Sequence, residues 1–370
     1  MQLLKNTGFA VLTVAFALIL LSWGSTGHYK INYNTQLSYN QEMEQFSAWA
    51  PVLAQHASDA DIRKSWDPDE SPKHYIDIDN YPEFLNTGSI PQDFNEIVAA
   101  HGFSFVIDQG ILPWATEIAY DSLQSCFERS DWEKAVLFAS DLGHYVADGH
   151  MPLHITRNYN GQYSGNNGIH SRYESSMINT YASQIVYTGE NVLQINDVNQ
   201  YIFDYLYSNY TLVDSVLAAD DYAKAIAGNT SSNLYYENLW NETQGFTIEL
   251  FKLASFRLTE LIYTAWKNAG SPLISYTFNP QAIDQPFGLQ ISPNPATKST
   301  LIHFFMRDTG KIHLDVINNQ GRKVYSLIDS VAEAGDHEFQ FDVSQLPLGL
   351  YFVVLRSETK EALVKLMVAR

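Results

Sequence analysis

The sequence predicts a mainly α protein, a multi-helix domain followed by a small C-terminal β-sandwich. Apolar residues recur at helical spacing through most of the chain up to Gly270, a Pro-rich stretch then breaks the pattern, and beyond it the alternation has a period of two. At 370 residues, 45% hydrophobic and only 17% charged, the chain is long and apolar enough to bury two cores. A net charge of −19 excludes a general nucleic-acid footprint and a stable nucleic-acid partner, because phosphate backbones are held by Lys and Arg patches.

Residues 1–22 carry Lys5 and then an apolar run from Phe9 to Leu21. The run is shorter than the roughly 18 to 20 residues of a membrane span, so it reads as a signal peptide, with an N-terminal anchor as the rival. The single cysteine, Cys126, lies far from this segment, which excludes an internal disulfide and a lipid-modified cysteine at its end.

Residues 23–270 form the expected helical domain. Trp23-Gly-Ser-Thr-Gly-His28 opens it, Tyr39 to Ala57 reads as helix, and two segments rich in polar ligands follow, Asp59-Ala-Asp61-Ile-Arg63 and His74-Tyr-Ile-Asp-Ile-Asp79. Pro113 near the start of Gly110 to Trp114 marks a helix opening. Ser130 to Glu133 reads as a capping box before the apolar stripe Trp132, Ala135, Val136, Ala139, Leu142 and Val146, and Gly149 and Pro152 end that helix. Tyr201, Phe203, Tyr205, Tyr207 and Tyr210 read as core and cover, and Gly245 to Lys267 closes the domain. Residues 271–291, with Pro272, Pro280 and Pro286, read as a linker. Residues 292–370 contain short alternating runs, Leu301 to Phe305, Lys311 to Ile317, Lys323 to Ser326, His337 to Phe341, Leu350 to Arg356 and Leu363 to Val368, with turns at Asn318 to Gly321 and Gly335-Asp336. His303, His313 and His337 on these strands read as surface residues.

The chemistry-bearing stretch runs from His144 to Glu174. His144 and Asp148 stand four apart, as do His170 and Glu174, so each pair projects from one face of its helix. His154 lies between them on the non-helical exit after Met-Pro-Leu. Imidazole nitrogen and carboxylate oxygen are zinc donors, and an i, i+4 pair supplies two of them pointing the same way. A lone His-x-x-x-Asp is ordinarily a solvated or self-paired face; two such pairs with a Pro-Leu-His between them form a metal-site pattern.

These residues resemble the zinc-dependent phospholipase C and S1/P1 nuclease superfamily, whose core motif is His-x-x-x-Asp-x-x-x-Pro-Leu-His followed by His-x-x-x-(Asp/Glu). The terminal Glu174 is similar to the phospholipase C branch, and Met151 stands where the pattern usually has Gln. The resemblance implies three zinc ions per chain. Asp61, His74, His144 and Asp148 would hold one, Trp23 (through its α-amino nitrogen and carbonyl), His28 and a bridging Asp148 a second, and His154, His170 and Glu174 the third. Asp61 is preferred to Asp59 because it stands two before the basic Arg63, and it is the candidate catalytic residue, placed to orient or deprotonate a zinc-activated water. The function implied is a secreted phosphodiester hydrolase acting on phospholipid. A single-strand nuclease and a non-catalytic zinc-holding surface protein remain the alternatives.

Ser292-Pro-Asn-Pro-Ala296, Asn319 to Val324, Leu346 to Tyr351 and Lys365 to Val368 resemble the type A sorting domain of the type IX secretion system. This implies the secretion machinery as partner and export to the surface or surroundings of a Bacteroidota cell.

Overall fold

The computed structural model describes residues 24–64, 67–274, 287, 289–306, 309–318, 322–333, 335–357 and 361–369. The expected signal peptide and Trp23 lie outside these residues, as does most of the expected linker. The helical part comprises α1 (Gly24–Asn34), α2 (Trp49–Gln55), α3 (Asp59–Arg63), α4 (Pro82–Thr87), α5 (Phe94–His101), α6 (Phe103–Asp108), α7 (Leu112–Glu128), α8 (Trp132–Asp148), α9 (Ile169–Ser171), α10 (Ile178–Tyr181), α11 (Val198–Tyr210), α12 (Val213–Ala227) and α13 (Asn233–Asn268). None of these helices is long and apolar enough to cross a membrane.

The apolar stripe foreseen for α8 puts Ala135, Val136, Ala139, Leu142 and Val146 in the core, and α1, α2, α7 and α13 pack around that helix. Its start differs from the expected capping box. Asp131 is the N-cap, accepting from Lys134 N, while Ser130 takes a left-handed φ of 57° outside the helix. The expected helix from Tyr39 to Ala57 is broken into a 3₁₀ segment, Gln41–Phe46, and α2, because Asn40 caps the first turn through Met43 N and Pro51 has no N–H with which to bond back to Ser47. The closing helix starts earlier than Gly245, since Ser232 caps it through Tyr235 N.

Beyond Gln290 seven strands follow, β1 (Gln290–Ser292), β2 (Ser299–Met306), β3 (Gly310–Asn318), β4 (Lys323–Ala332), β5 (Gly335–Asp342), β6 (Gly349–Ser357) and β7 (Glu361–Val368). They form a three-stranded sheet in the order β1-β2-β5 and a four-stranded sheet in the order β4-β3-β6-β7, with every pairing antiparallel. Ile302 and Phe304 from one sheet and Leu314, Val316, Val353 and Leu355 from the other fill a core separate from that of the helices. Gly335 and Asp336 begin β5 instead of forming the expected turn, pairing with Met306 and Phe305. His303 is buried, contrary to the surface reading, because β2 is the middle strand and Gln290 and Glu338 flank it on either side. The two parts touch where Tyr29 of α1 stacks on Phe305, with ring centroids 5.8 Å apart.

Because each part has its own core, a chain ended after Ile274 is expected to keep its helical circular dichroism and a single cooperative thermal transition. The loss of the Tyr29–Phe305 stack should cost about 1 kcal/mol. A non-cooperative melt of the shortened chain would show that the helices depend on the strands.

Candidate metal centre

Six segments bring the sequence-identified ligands together. His28 comes from α1, Asp61 from α3, His74 from the 3₁₀ turn Ser71–His74, His144 and Asp148 from α8, His154 from the 3₁₀ turn Pro152–His154, and His170 and Glu174 from the helical stretch that starts at Ile169. All eight side chains are buried. Two glycines permit the approach. A Cβ on Gly143 would lie 2.1 Å from Asn32 Oδ1 and 2.7 Å from Leu258 Cδ2, so a side chain there would have to displace Asn32 of α1 and Leu258 of α13 beside His144. A Cβ on Gly110, whose φ is +85°, would lie 2.2 Å from the Tyr75 carbonyl, and this close contact seats the segment after His74 against the start of α7.

Three groups result: His28, His144 and Asp148; Asp61, His74 and His144; and His154, His170 and Glu174. Asp148 sits between them, with Oδ2 3.0 Å from His74 Nδ1 and 3.4 Å from His144 Nε2, and Oδ1 3.5 Å from His28 Nε2 and 3.4 Å from His154 Nδ1. His28 and His144 stack with centroids 3.9 Å apart. His144 Nε2 is 3.6 Å from Asp61 Oδ1. Asp59 instead pairs with His56, at 2.8 Å, away from these groups. The third group is carried on an unexpected backbone. After α9 the chain widens into a π-helix, Arg172–Met177, which leaves His170 Nε2 2.6 Å from Glu174 Oε2. Trp23 lies outside the described residues.

Hydrogen bonding fixes what these groups offer. His144 Nδ1 donates to the Ala57 carbonyl (2.7 Å), His154 Nδ1 to the His74 carbonyl (2.7 Å) and His170 Nδ1 to the Tyr159 carbonyl (3.2 Å). A carbonyl only accepts, so in each neutral ring Nε2 is a lone pair. Two of these, His154 Nε2 and His170 Nε2, face one another at 3.2 Å with Glu174 beside them. Two nitrogens at the usual zinc distance and a tetrahedral angle would be separated by about 3.3 Å. Among the described residues, the buried Glu174 Oε1 and Asp61 Oδ2 have no hydrogen-bond donor. Converging lone pairs and undonated carboxylate oxygens are the donor set of a divalent cation, and the residues fit zinc.

Comparison with known proteins bears on the other end of the chain. Residues 290–369 match the family described as the secretion system C-terminal sorting domain. The chain carries that sorting domain and is exported. No curated protein matches the sequence. Among solved structures, the alpha toxin of Clostridium absonum is similar at 11% identity with a TM-score of 0.40, over 94% of this chain and 95% of that one. The alpha-toxin of Clostridium perfringens from an avian strain is similar at 10% identity with a TM-score of 0.42, over 93% and 96%. The sorting domain contributes no residue to the three groups.

The electrostatics separate the members. Burial and the nearby His144 hold His28 down at about 3, so it is neutral and ready to ligate. For His144 burial acts downward, but Asp148 and Asp61 outweigh it and push the metal-free ring up to about 10. A proton thus stands where a cation would otherwise balance the carboxylates, and metal uptake must displace it. Asp61 is held well below the usual carboxylate range, as Lys64 and His144 overcome the upward effect of burial. His150, off the ligand pattern, donates to the Val146 carbonyl and stacks on Tyr205, and burial with Arg257 holds it at about 3.

Two residues of the centre went unnoticed in the sequence. Lys64, three after Asp61, places Nζ 2.6 Å from Asp61 Oδ1. Glu70, four before His74, is buried with Oε1 3.5 Å from His74 Nε2. Both spacings are visible in the chain, but charged i, i+3 and i, i+4 neighbours are too common to single out.

Asp220 anchors the third group from behind. It accepts from Arg172 Nη2 (2.9 Å), Asn166 Nδ2 (2.7 Å) and Tyr235, while Arg172, between His170 and Glu174, also donates to the Asn167 carbonyl (2.7 Å). Asp220→Ala leaves that guanidinium without its carboxylate and is expected to destabilise the protein by about 3 kcal/mol. Urea unfolding measures this, and a change below about 1 kcal/mol would show that the other bonds suffice.

Proposed function

We propose that the chain is a secreted, zinc-dependent phosphodiester hydrolase of phospholipase C type, exported through a type IX machinery recognised by its sorting domain. The observation that carries this reading is the convergence of Asp61, His74, His144, Asp148, His154, His170 and Glu174, with His28, into three adjoining buried ligand groups. Three groups support three zinc ions, with Trp23 completing the His28 group. The Bacteroidota origin rests on the sorting domain alone.

Bound zinc lowers the pKa of water toward about 7 and polarises a phosphoryl oxygen. The protein's own groups do the rest. Asp61, kept ionised, has Oδ2 available to take a proton from the attacking water. Lys64 brings an ammonium to the same place and offsets charge developing on a phosphoryl oxygen. His144, His154 and His170 keep their Nδ1 protons on backbone carbonyls, so their Nε2 lone pairs stay aimed into the centre throughout. Burial excludes bulk water and strengthens each of these interactions.

Glu174 and the net charge of −19 favour a phospholipid over a single-stranded nucleic acid. Purified mature protein is expected to hydrolyse phosphatidylcholine, to lose that activity to a chelator and to regain it with zinc. Turnover of single-stranded DNA with no lipid hydrolysis would make it the nuclease, and neither activity the non-catalytic zinc-binding protein. Asp148→Ala should abolish turnover and release more than one metal, since Asp148 faces all three groups. Unaltered metal content in that variant would contradict the bridging role.

A further inference from the structure

Resting on the metal-centre reading, we propose that Glu70 is a positioning residue that builds the Asp61–His74–His144 group as one unit. Glu70 is almost fully buried and belongs to none of the ligand groups. Its carboxylate instead ties together the segments that carry those three ligands. Arg63, two residues after Asp61 on α3, donates from Nη2 to Oε1 and from Nε to Oε2, both at 3.3 Å. Tyr145, next to His144 on α8, donates its hydroxyl to Oε1 at 2.5 Å. His74 follows four residues on, with Nε2 3.5 Å from Oε1. Arg63 also reaches α8 directly, its Nη1 donating to Asp141 Oδ1 at 3.0 Å, and Lys73 Nζ donates to Glu70 Oε2 at 2.8 Å.

The consequence for His74 is a matter of which nitrogen keeps its proton. Nδ1 lies 2.9 Å from His144 Nε2 and 3.0 Å from Asp148 Oδ2, so a cation held there would leave the proton on Nε2, the nitrogen that faces Glu70 Oε1 at 3.5 Å. His144 and His154 have Nδ1 on backbone carbonyls, whereas the nitrogen of His74 turned away from the group faces a carboxylate. A carboxylate behind a histidine ligand also raises its basicity and with it the affinity for the metal.

The test uses the full mature chain, stripped of metal and titrated with zinc against a chromophoric chelator. Glu70→Gln keeps the size but loses the charge, and it points an amide N–H₂ at Arg63, Lys73 or Tyr145. It is expected to weaken one zinc site about 10–100-fold and leave the others at wild-type affinity. Repeating the titration in a His170→Ala background, which lacks a ligand of the His154 group, assigns the weakened site. Tyr145→Phe removes a single donor to Glu70 and should weaken the same site by a smaller factor, and it decides the matter if Glu70→Gln does not fold. Wild-type affinity at every site in both variants overturns the proposal. So does uniform weakening of all sites together with a lowered melting temperature of the metal-free protein, which is the mark of a merely structural role. A wild type that takes up no zinc overturns the metal-centre reading itself, so the two failures are distinct.

Discussion

The structure depends on a concentration of buried negative charge and imidazole lone pairs that the protein alone does not balance. Asp61, Asp148 and Glu174 lie in the interior beside His144 and His170, and Lys64 brings an ammonium to Asp61. An uncompensated buried carboxylate costs several kcal/mol, and converging lone pairs repel. A fold that holds such an arrangement has to offset it with bound cations, and in their absence with protons, as the raised His144 shows. Much of the surrounding architecture is explained by the need to keep these groups in place: the carbonyls of Ala57, His74 and Tyr159 hold three ring nitrogens, and the Asp220 and Glu70 networks hold the ligand-bearing segments.

Helix α8 is the element through which this demand is met. It supplies His144 and Asp148, and its packing against α1, α2, α7 and α13 sets where the other ligands arrive. Gly143 is the point at which the approach is closest, with Asn32 and Leu258 filling the space a side chain would take. The mutual bonds between the His74 and His154 segments, Ile76 N to the His154 carbonyl (2.8 Å) and His154 Nδ1 to the His74 carbonyl, link the Asp61–His74–His144 group directly to the His154–His170–Glu174 group.

Much of this was legible in the sequence, for physical reasons that also mark where legibility stops. The stripe of α8 and the spacing of His144 to Asp148 depend on a single helical period, and such short-range patterns survive folding unchanged. The strands of the sorting domain were likewise readable from their alternation, although β1 is too short for a pattern and β4 extends to Ala332, past residues whose exposure hides any alternation. His303 was misread because burial of a middle strand is decided by its neighbours in the sheet, and these are remote in sequence. The π-helix at Arg172–Met177 was equally invisible, since the i, i+4 spacing of His170 and Glu174 fits an α-helix as well, and the partners that hold Arg172 there, Asp220 and Tyr235, are remote in sequence. Lys64 and Glu70 became visible only when α3 and the His74 turn were placed against α8.

The central claim is that the three buried groups each hold zinc. Crystals of the mature protein grown with zinc, measured above and below the zinc absorption edge, test it directly. The account predicts anomalous density at three places: between Asp61, His74 and His144; beside His28 and Asp148; and between His154, His170 and Glu174. Anomalous density confined to surface carboxylates, with none in the interior, would contradict it.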